Sequence, residues 1–199
     1  MIWHPDIPEE YRNQIVTGDA RELAKAISDE SIDLIFTDPI YDRIDDYHWL
    51  AETATRILKP NRACLTFCGI EWLGETIQAM RQGGLEYRWQ LILSMPYRNG
   101  GHIQGGFSQY ISCLWFEKGH SIPIRQIPDM RLWRPADGPF KWAKNPDFVA
   151  YYLENFSLTL DVAFEIDPVT AERARERVRN TKPPLFVLQE EQLVLGIDG

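Results

Sequence analysis

The sequence predicts an α/β fold, in which a mostly parallel central sheet is covered by helices on both faces. Three observations support this fold class. Apolar strand-like runs alternate with segments of helical spacing between residues 14 and 180. One of these runs, Ser31–Phe36, reads as a strand that is buried within the sheet. The length of 199 residues suits one domain, and the 44% hydrophobic and 25% charged composition excludes a disordered chain.

Each strand is predicted from a short apolar run that turn or helix signals follow. The runs are Gln14–Thr17, Ser31–Phe36, Ala63–Phe67, Tyr87–Ser94, Tyr110–Phe116 and Thr159–Phe164. Helical spacing predicts helices at Ala20–Ile27, Tyr47–Leu58, Glu71–Arg81, Asp147–Phe156 and Pro168–Arg179. Pro60 and the Gly83-Gly84 pair end the second and third helices. Residues 98–106 read as a glycine-rich loop, and residues 118–145 as an irregular segment.

The sequence carries no signal for export or for a membrane span. No stretch approaches the roughly 20 apolar residues of a transmembrane helix, and residues 1–5 lack a basic run followed by an apolar core. Cys64, Cys68 and Cys113 lie in or beside apolar strands without zinc spacing, so we expect buried thiols in a reducing compartment. The four histidines show no paired ligand spacing, so no metal site is expected. These observations predict a cytoplasmic protein with no membrane partner.

Charge is distributed unevenly along the chain. The net charge of −8 alone argues against a nucleic-acid partner, but residues 86–144 hold eight basic and four acidic residues. That stretch therefore carries +4 and the remainder −12, and aromatic residues are interleaved with the basic ones. Basic and aromatic side chains together bind phosphates and stack on bases. A solvated loop region with some core aromatics is the alternative explanation.

Three of the predicted strands are followed by acidic residues. Asp19 follows the first strand, Asp38 the second and Glu165 the last. In open α/β sheets, ligands bind beyond the carboxyl ends of the strands. The alternative for Asp19 is a helix cap, and for Glu165 an interaction with the dipole of the next helix. Asp38 is distinguished by its place in the tetrad Asp38-Pro39-Ile40-Tyr41, although Asp-Pro after a strand is also a common turn.

This tetrad resembles the D-P-P-Y motif of the DNA amino-methyltransferases, which methylate exocyclic amines of DNA bases using S-adenosyl-L-methionine. Other segments similar to that family are residues 18–19, 31–37, 144–156 and 164–177, in the order that places the catalytic motif before the cofactor motif. The resemblance covers most of residues 14–180. It implies a Rossmann-like, S-adenosylmethionine-dependent methyltransferase fold as one domain over residues 1–199, with a target-recognition insertion at residues 95–143.

The chemistry that this motif implies depends on three residues. An exocyclic base amine is a poor nucleophile, because its lone pair is delocalised into the ring. The Asp38 carboxylate and the Pro39 carbonyl can both accept hydrogen bonds from the amine and direct its lone pair towards a methyl donor. The base must leave the duplex to reach them, and Tyr41 offers a ring for stacking, worth roughly 1–3 kcal/mol.

The resemblance also implies the remaining site residues. Glu165 would bind the ribose hydroxyls of S-adenosyl-L-methionine and Asp19 would lie near its adenine, with Lys144 and Phe148 lining the pocket. Contacts to DNA are expected from the basic, aromatic stretch, at Arg98, His102, Arg131 and Arg134.

The implied function is methyl transfer to the exocyclic amine of adenine (N6) in DNA, which the aspartate of the tetrad favours over cytosine (N4). DNA is the expected partner, and a homodimer and a cognate restriction endonuclease are further candidates. Two alternatives stay open. One is a catalytically silent, nucleic-acid-binding relative, and the other is a methyltransferase that acts on RNA or a small molecule.

The chain departs from the family pattern at two points. Ile40 replaces the second proline, which removes rigidity but no hydrogen-bonding atom. The glycine-rich cofactor loop is missing, because only Leu158 separates Ser157 from the strand predicted at Thr159. The natural protein carries this segment, or evolution removed it, or the chain was shortened deliberately. We expect the first, for which a strand and crossover would add about two kilodaltons to the intact mass.

Overall fold

The computed structural model describes residues 7–11, 14–95, 102–103, 106–132, 146–156, 162–165 and 167–180. The strands are β1 (Gln14–Thr17), β2 (Ile32–Thr37), β3 (Leu58–Cys68), β4 (Glu86–Ser94), β5 (His102–Ile103), β6 (Gly106–Phe107), β7 (Tyr110–Lys118), β8 (Met130–Leu132) and β9 (Val162–Glu165). The α-helices are α1 (Ala20–Leu23), α2 (Ile44–Ile57), α3 (Leu73–Gln82), α4 (Pro146–Phe156) and α5 (Pro168–Asn180). Short 3-10 helices cover Glu9–Tyr11, Ala24–Ala26 and Ile70–Trp72.

The strands form a five-stranded sheet in the order β2-β3-β7-β4-β8, a separate parallel pair β1-β9, and the small antiparallel pair β5-β6. Within the large sheet, β2 and β3 are parallel, as are β4 and β8, whereas β7 runs antiparallel to both of its neighbours. The α/β prediction is confirmed, and β7 gives the sheet its mixed character. The 15 residues between β4 and β7 contain no crossover helix among those described, which suits an antiparallel return.

The predicted insertion at residues 95–143 contains a strand of the large sheet. β7 lies between β3 and β4, so residues 110–118 belong to the central sheet. The three-residue strand β8, in the segment predicted to be irregular, pairs with β4 at the edge of the sheet.

Helix α2 carries the chain from β2 to its parallel neighbour β3. Its apolar residues recur every three or four positions, which places them on one face of the helix. Five of them are buried: Tyr47, Leu50, Ala51, Ala54 and Ile57. The helix begins three residues earlier than predicted, at Ile44, and its first turn holds Asp45 and Asp46, which suit a helix N-terminus. Among the described residues, no helix combines the length and apolarity needed to cross a membrane.

Two apolar clusters lie on opposite faces of the large sheet, because successive side chains of a strand point to opposite faces. Along β3, Cys64 and Cys68 join the first cluster, together with residues of α2 and α3, whereas Leu65 and Phe67 join the second. The second cluster also contains residues of α4. Helices therefore cover both faces of the sheet, as the sequence predicted, and β3 is buried on both faces.

Two arginines connect the segment after β1 with helix α2. Arg21 forms an ion pair with Asp46, and its guanidinium lies 5.3 Å from the centre of the Trp49 ring. Arg56 donates hydrogen bonds to the carbonyl oxygens of Ala24 and Ile27, each at 2.7 Å. Arg21 follows β1 closely and Asp46 follows β2. The carboxyl ends of β1 and β2 therefore lie at the same edge of the molecule.

Raising the pH above 9 is expected to destabilise the fold through its buried thiols. Burial raises the pKa of Cys64 to about 12 and that of Cys68 to about 11, from an ordinary value of 9.0. Above pH 9 the unfolded state therefore binds fewer protons than the folded state, and the free energy of unfolding falls as pH rises. Each thiol contributes a slope of up to ~1.4 kcal/mol per pH unit.

Urea unfolding midpoints measured at several pH values between about 8 and 10.5 test this expectation. Cys64→Ala should unfold with a shallower pH dependence than the unaltered chain, because one of the two thiols no longer titrates. An identical slope in both proteins would contradict the proposed contribution of Cys64.

Candidate active site

The tetrad Asp38-Pro39-Ile40-Tyr41 forms the turn between β2 and α2. Asp38 is exposed and Pro39 is half-buried, directly beyond the carboxyl end of β2. The backbone N–H of Arg43 donates to the carbonyl oxygen of Ile40 at 3.1 Å, which closes the turn. The Ile40 side chain is 53% exposed. The isoleucine in place of proline is therefore compatible with an ordered turn at this position.

The side chains of Asp38 and Tyr41 interact directly. The Tyr41 hydroxyl donates a hydrogen bond to the Asp38 carboxylate. Burial, and next the charge of Asp38, raise the pKa of Tyr41 far above its usual range, so the phenol stays a neutral donor. The Tyr41 ring packs against the apolar cluster that contains Phe67 and Phe148. Asp38 is thus oriented by a side chain of its own motif.

Gly69 makes room for the Tyr41 side chain. A Cβ atom added at Gly69 would lie 3.1 Å from the Tyr41 Cβ and 3.2 Å from the Trp72 ring. Both distances are shorter than an ordinary van der Waals contact of ~3.5–4.0 Å. A glycine after β3 therefore allows Tyr41 to reach the position in which it contacts Asp38.

Tyr47 lies beneath this turn, and the sequence analysis did not single it out. It is fully buried, and its hydroxyl donates to the carbonyl oxygen of Phe67 at 3.0 Å. Burial raises the pKa of Tyr47, and the nearby Cys68 and Asp38 add to the effect. A buried tyrosine usually finds a hydrogen-bond partner for its hydroxyl. The sequence indicated only that Tyr47 belongs to the apolar face of a helix, and not which group its hydroxyl would contact.

Asp19 follows β1, and Glu165 ends β9, the parallel partner of β1. Thr17 is paired with Glu165 in the ladder, and the N–H of Gly18 donates to the Glu165 carbonyl at 3.0 Å. The Asp19 carboxylate accepts from the N–H of Arg21 at 2.8 Å, so Asp19 does cap α1. The structure thus brings together two acidic residues that are distant in the sequence.

Glu165 is half-buried and engages the start of α5. Its Oε1 accepts from the N–H of Asp167 at 3.0 Å. Asp167 caps the helix, because its carboxylate accepts from the N–H and the hydroxyl of Thr170. These hydrogen bonds hold the pKa of Asp167 below its ordinary value. One oxygen of Glu165 therefore accepts a hydrogen bond at the start of α5. This contact agrees with the alternative role of Glu165 as a charge that interacts with the dipole of that helix.

The structure describes only some of the other predicted site residues. Phe148 is 1% exposed, with its ring centre 4.7 Å from that of Tyr152, so its lining of a cofactor pocket stays a prediction. The Arg131 guanidinium lies 3.8 Å from the centre of the Tyr151 ring. His102 belongs to the β5–β6 pair, opposite Phe107, and its side chain lies outside the described part of the molecule. Lys144, Arg98 and Arg134 lie outside the described residues.

The carboxylate side chains at this edge of the molecule offer oxygen atoms that accept hydrogen bonds. Carboxylates at the ends of β1, β2 and β9 can accept hydrogen bonds from hydroxyl and amino groups, such as those of a ribose or a purine. Across the described ranges, no group of three histidine, cysteine or acidic side chains could hold a metal ion. The arrangement is suited to binding and orienting a ligand that donates hydrogen bonds.

No protein-family model and no curated protein matches the chain. Solved structures do. M1.HpyAVI in complex with S-adenosyl-L-methionine aligns with a TM-score of 0.67 and 14% identity, over 83% of this chain and 98% of that chain. The cytosine-N4-specific PvuII DNA methyltransferase aligns with a TM-score of 0.69 and 13% identity, over 86% and 87% of the two chains.

A third similar structure is TTHA0409 of Thermus thermophilus, described as a DNA modification methylase and solved in complex with S-adenosyl-L-methionine. It aligns with a TM-score of 0.62 and 19% identity, over 82% of this chain and 92% of that chain. Similarity at these identities establishes the fold. The chain therefore has the Rossmann-like α/β fold of these methyltransferases, as the sequence predicted.

Proposed function

We propose that this chain belongs to the DNA amino-methyltransferases and transfers a methyl group from S-adenosyl-L-methionine to the exocyclic amine of a DNA base. Adenine (N6) is favoured over cytosine (N4). The observation that carries the proposal is the Asp38–Tyr41 pair at the carboxyl end of β2. The fold that the chain shares with three solved structures adds support. Two of them are named as DNA-methylating enzymes, and two were solved in complex with S-adenosyl-L-methionine.

The proposed work of Asp38 and Pro39 is to orient the target amine. Both offer oxygen acceptors at the exposed end of β2, where the two N–H groups of a base amine can be held at once. S-adenosyl-L-methionine would supply an electrophilic methyl group on sulfur. The two acceptors favour a tetrahedral nitrogen and keep its lone pair directed at the donor, which lowers the barrier through orientation.

Glu165 and Asp19 are the residues that would hold the cofactor. Their carboxylates lie at adjacent strand ends, and each has two oxygens, of which the local turns use one in the described contacts. Acidic residues at such strand ends bind ribose hydroxyls in related nucleotide sites. Lys144 and Phe148 remain the weaker candidates for lining the pocket.

Tyr41→Phe separates the two proposed contributions of this residue. The variant keeps the stacking ring and removes the hydroxyl that holds Asp38. We expect methyl transfer to fall about tenfold, because one hydrogen bond to a charged group is lost. Tyr41→Ala should lose more, because stacking on the base contributes a further ~1–3 kcal/mol. Equal rates for Tyr41→Phe and Tyr41→Ala would show that the ring does not contact the base.

The direct test of the proposal is a transfer assay with S-adenosyl-L-methionine that carries a labelled methyl group. Duplex DNA, RNA and a reaction without nucleic acid form its three arms. Label in DNA, recovered as N6-methyladenine or N4-methylcytosine after digestion, supports the proposal and separates the two bases. Label in RNA alone would favour an RNA methyltransferase. The predicted contacts of Arg98, His102, Arg131 and Arg134 imply that DNA binding weakens steeply as salt rises.

A catalytically silent, nucleic-acid-binding relative is the second candidate. Only five residues separate the end of α4 at Phe156 from the start of β9 at Val162, which leaves no room for the family's glycine-rich loop. This candidate predicts DNA binding without affinity for the cofactor. Calorimetric titration with S-adenosyl-L-methionine distinguishes the two, because only the enzyme should release heat in a saturable manner.

A further inference from the structure

Ile40 places an exposed apolar side chain in the middle of the tetrad. It is 53% exposed, whereas the neighbouring Tyr41 packs against the apolar cluster that contains Phe67. Among the described residues, Ile40 joins neither of the two apolar clusters. A single exposed apolar residue is ordinary at a protein surface, so exposure alone indicates no function. The backbone and the charges around Ile40 supply the further observations.

The backbone on both sides of Ile40 is held in place. Its carbonyl oxygen accepts from the N–H of Arg43 at 3.1 Å, and the carbonyl oxygen of Arg43 accepts from the N–H of Asp46 at 2.9 Å, in the first turn of α2. The ring of Pro39 restricts the chain directly before Ile40. Isoleucine is branched at Cβ, which leaves its side chain few rotamers. The turn therefore presents an apolar group that would lose little conformational freedom on contact with a ligand.

The charges around Ile40 disfavour a phosphate group at this turn. The side chains of Asp38, Asp42 and Asp45 are exposed, and so is that of Arg43. Residues 38–45 thus carry three negative charges and one positive charge, a sum of −2. Like charges repel, so a nucleic acid that meets this turn is expected to present its uncharged bases there.

A target base that leaves a duplex also leaves a gap in the stack of bases. The neighbouring base pairs and the base left behind lose contacts when the target moves towards Asp38 and Pro39. Proteins that distort DNA often insert an apolar side chain between bases, and isoleucine is one of the residues used. Ile40 follows Pro39 directly, and its side chain is available for such a contact.

We propose that Ile40 enters the duplex and fills the gap that the target base leaves, so that the open state of the base pair is stabilised. The inference rests on the proposed function, because it concerns the DNA that carries the target amine. It adds a contact to DNA from the tetrad itself, at the position where the D-P-P-Y motif has proline. The contact needs no cofactor, so binding measurements test it apart from methyl transfer.

A duplex with one abasic site tests this contact, because it already contains a gap of the required kind. Fluorescence anisotropy without S-adenosyl-L-methionine compares the affinity of the full-length chain for this duplex and for the intact duplex of the same sequence. We expect the unaltered chain to bind the abasic duplex about tenfold more tightly, because no base pair has to open. Ile40→Ala should prefer it by less than about twofold, because alanine leaves the gap unfilled. Ile40→Leu should keep the preference.

Ile122→Ala is the matched control for Ile40→Ala. Ile122 is 72% exposed and follows β7, which runs antiparallel to β3 and so ends at the opposite edge of the sheet from Asp38. This variant should keep the preference of the unaltered chain. Equal affinity of the unaltered chain for both duplexes would overturn the inference, as would a preference that Ile40→Ala retains.

Methyl transfer gives a second readout, on a duplex whose target base is paired and on one with an abasic site opposite the target. Ile40→Ala should slow transfer about tenfold on the first duplex and less than about twofold on the second, where little pairing remains to be broken. Equal slowing on both would overturn the inference, because Ile40 would then act on the bound base or on the cofactor. A preference for the abasic duplex that depends on Ile40, without methyl transfer by the unaltered chain, would support the inference and contradict the proposed function.

Discussion

Asp38→Ala is expected to reduce methyl transfer by at least about a hundredfold, the loss typical of removing one preorganised electrostatic contact at a reacting centre. The Asp38 carboxylate is exposed beyond β2, and its described partner is the Tyr41 hydroxyl. The fold should therefore survive the change, with a loss of about 1 kcal/mol or less in the free energy of unfolding. Label transfer to DNA and thermal unfolding, measured on the same preparation, report the two effects.

Asp42→Ala is the matched control, because Asp42 is also exposed and lies in the same turn. It should leave the transfer rate within about twofold of that of the unaltered chain. Asp38→Asn adds a second comparison, since it keeps the size of the side chain and one acceptor oxygen but removes the charge. Normal transfer by Asp38→Ala would show that the tetrad does not orient the amine.

Phe148→Ala is expected to lower the free energy of unfolding by about 3–5 kcal/mol, the usual effect of removing a buried phenyl ring. Phe148 is 1% exposed, with ring centres of Phe67 and Tyr152 at 5.8 and 4.7 Å. This contact joins α4 to β3, so its loss should separate the helix from the face of the sheet that also supports Tyr41. Urea unfolding at neutral pH measures the effect.

Phe148→Leu keeps most of the volume and should lose less than about 1.5 kcal/mol. The same pair of variants tests the predicted role of Phe148 in the cofactor pocket. If the ring lines that pocket, Phe148→Leu should weaken cofactor binding more than its small loss of stability explains. A destabilisation below about 1 kcal/mol for Phe148→Ala would contradict the core packing.

Local patterns predicted the secondary structure closely, but not how the strands pair. The strand at Gln14–Thr17 begins and ends as predicted. By contrast, β3 begins five residues earlier than predicted, at Leu58, and contains Pro60, which was expected to end the preceding helix. The other major elements shift by a few residues at one or both ends. The direction of β7 could not be inferred, because an apolar run is the same for parallel and antiparallel pairing. The short strand β8 was missed, because its order comes from pairing with β4 and not from its own residues.

The candidate site was predicted where the motif is continuous and was missed where it depends on contacts. Asp38 and Tyr41 are three residues apart, and their contact follows from one turn. Asp19 and Glu165 were expected at strand ends, and the β1–β9 ladder places them together. Arg21 and Tyr47 had no such signal, because their partners Asp46 and Phe67 are 25 and 20 residues away along the chain.

The ion pair between Arg21 and Asp46 has a consequence for how ionic strength would act on this protein. Both side chains are partly exposed, at 44% and 27%, so dissolved ions screen their attraction. The pair links the segment after β1, which contains Asp19, to helix α2, which follows Asp38. High salt should therefore weaken the contact that holds the Asp19 segment against the helix after Asp38. It should also weaken binding to a polyanion. A methyl-transfer rate that declines as salt is added would then reflect both effects. Arg21→Ala removes only the first of them, because it abolishes the ion pair within the protein.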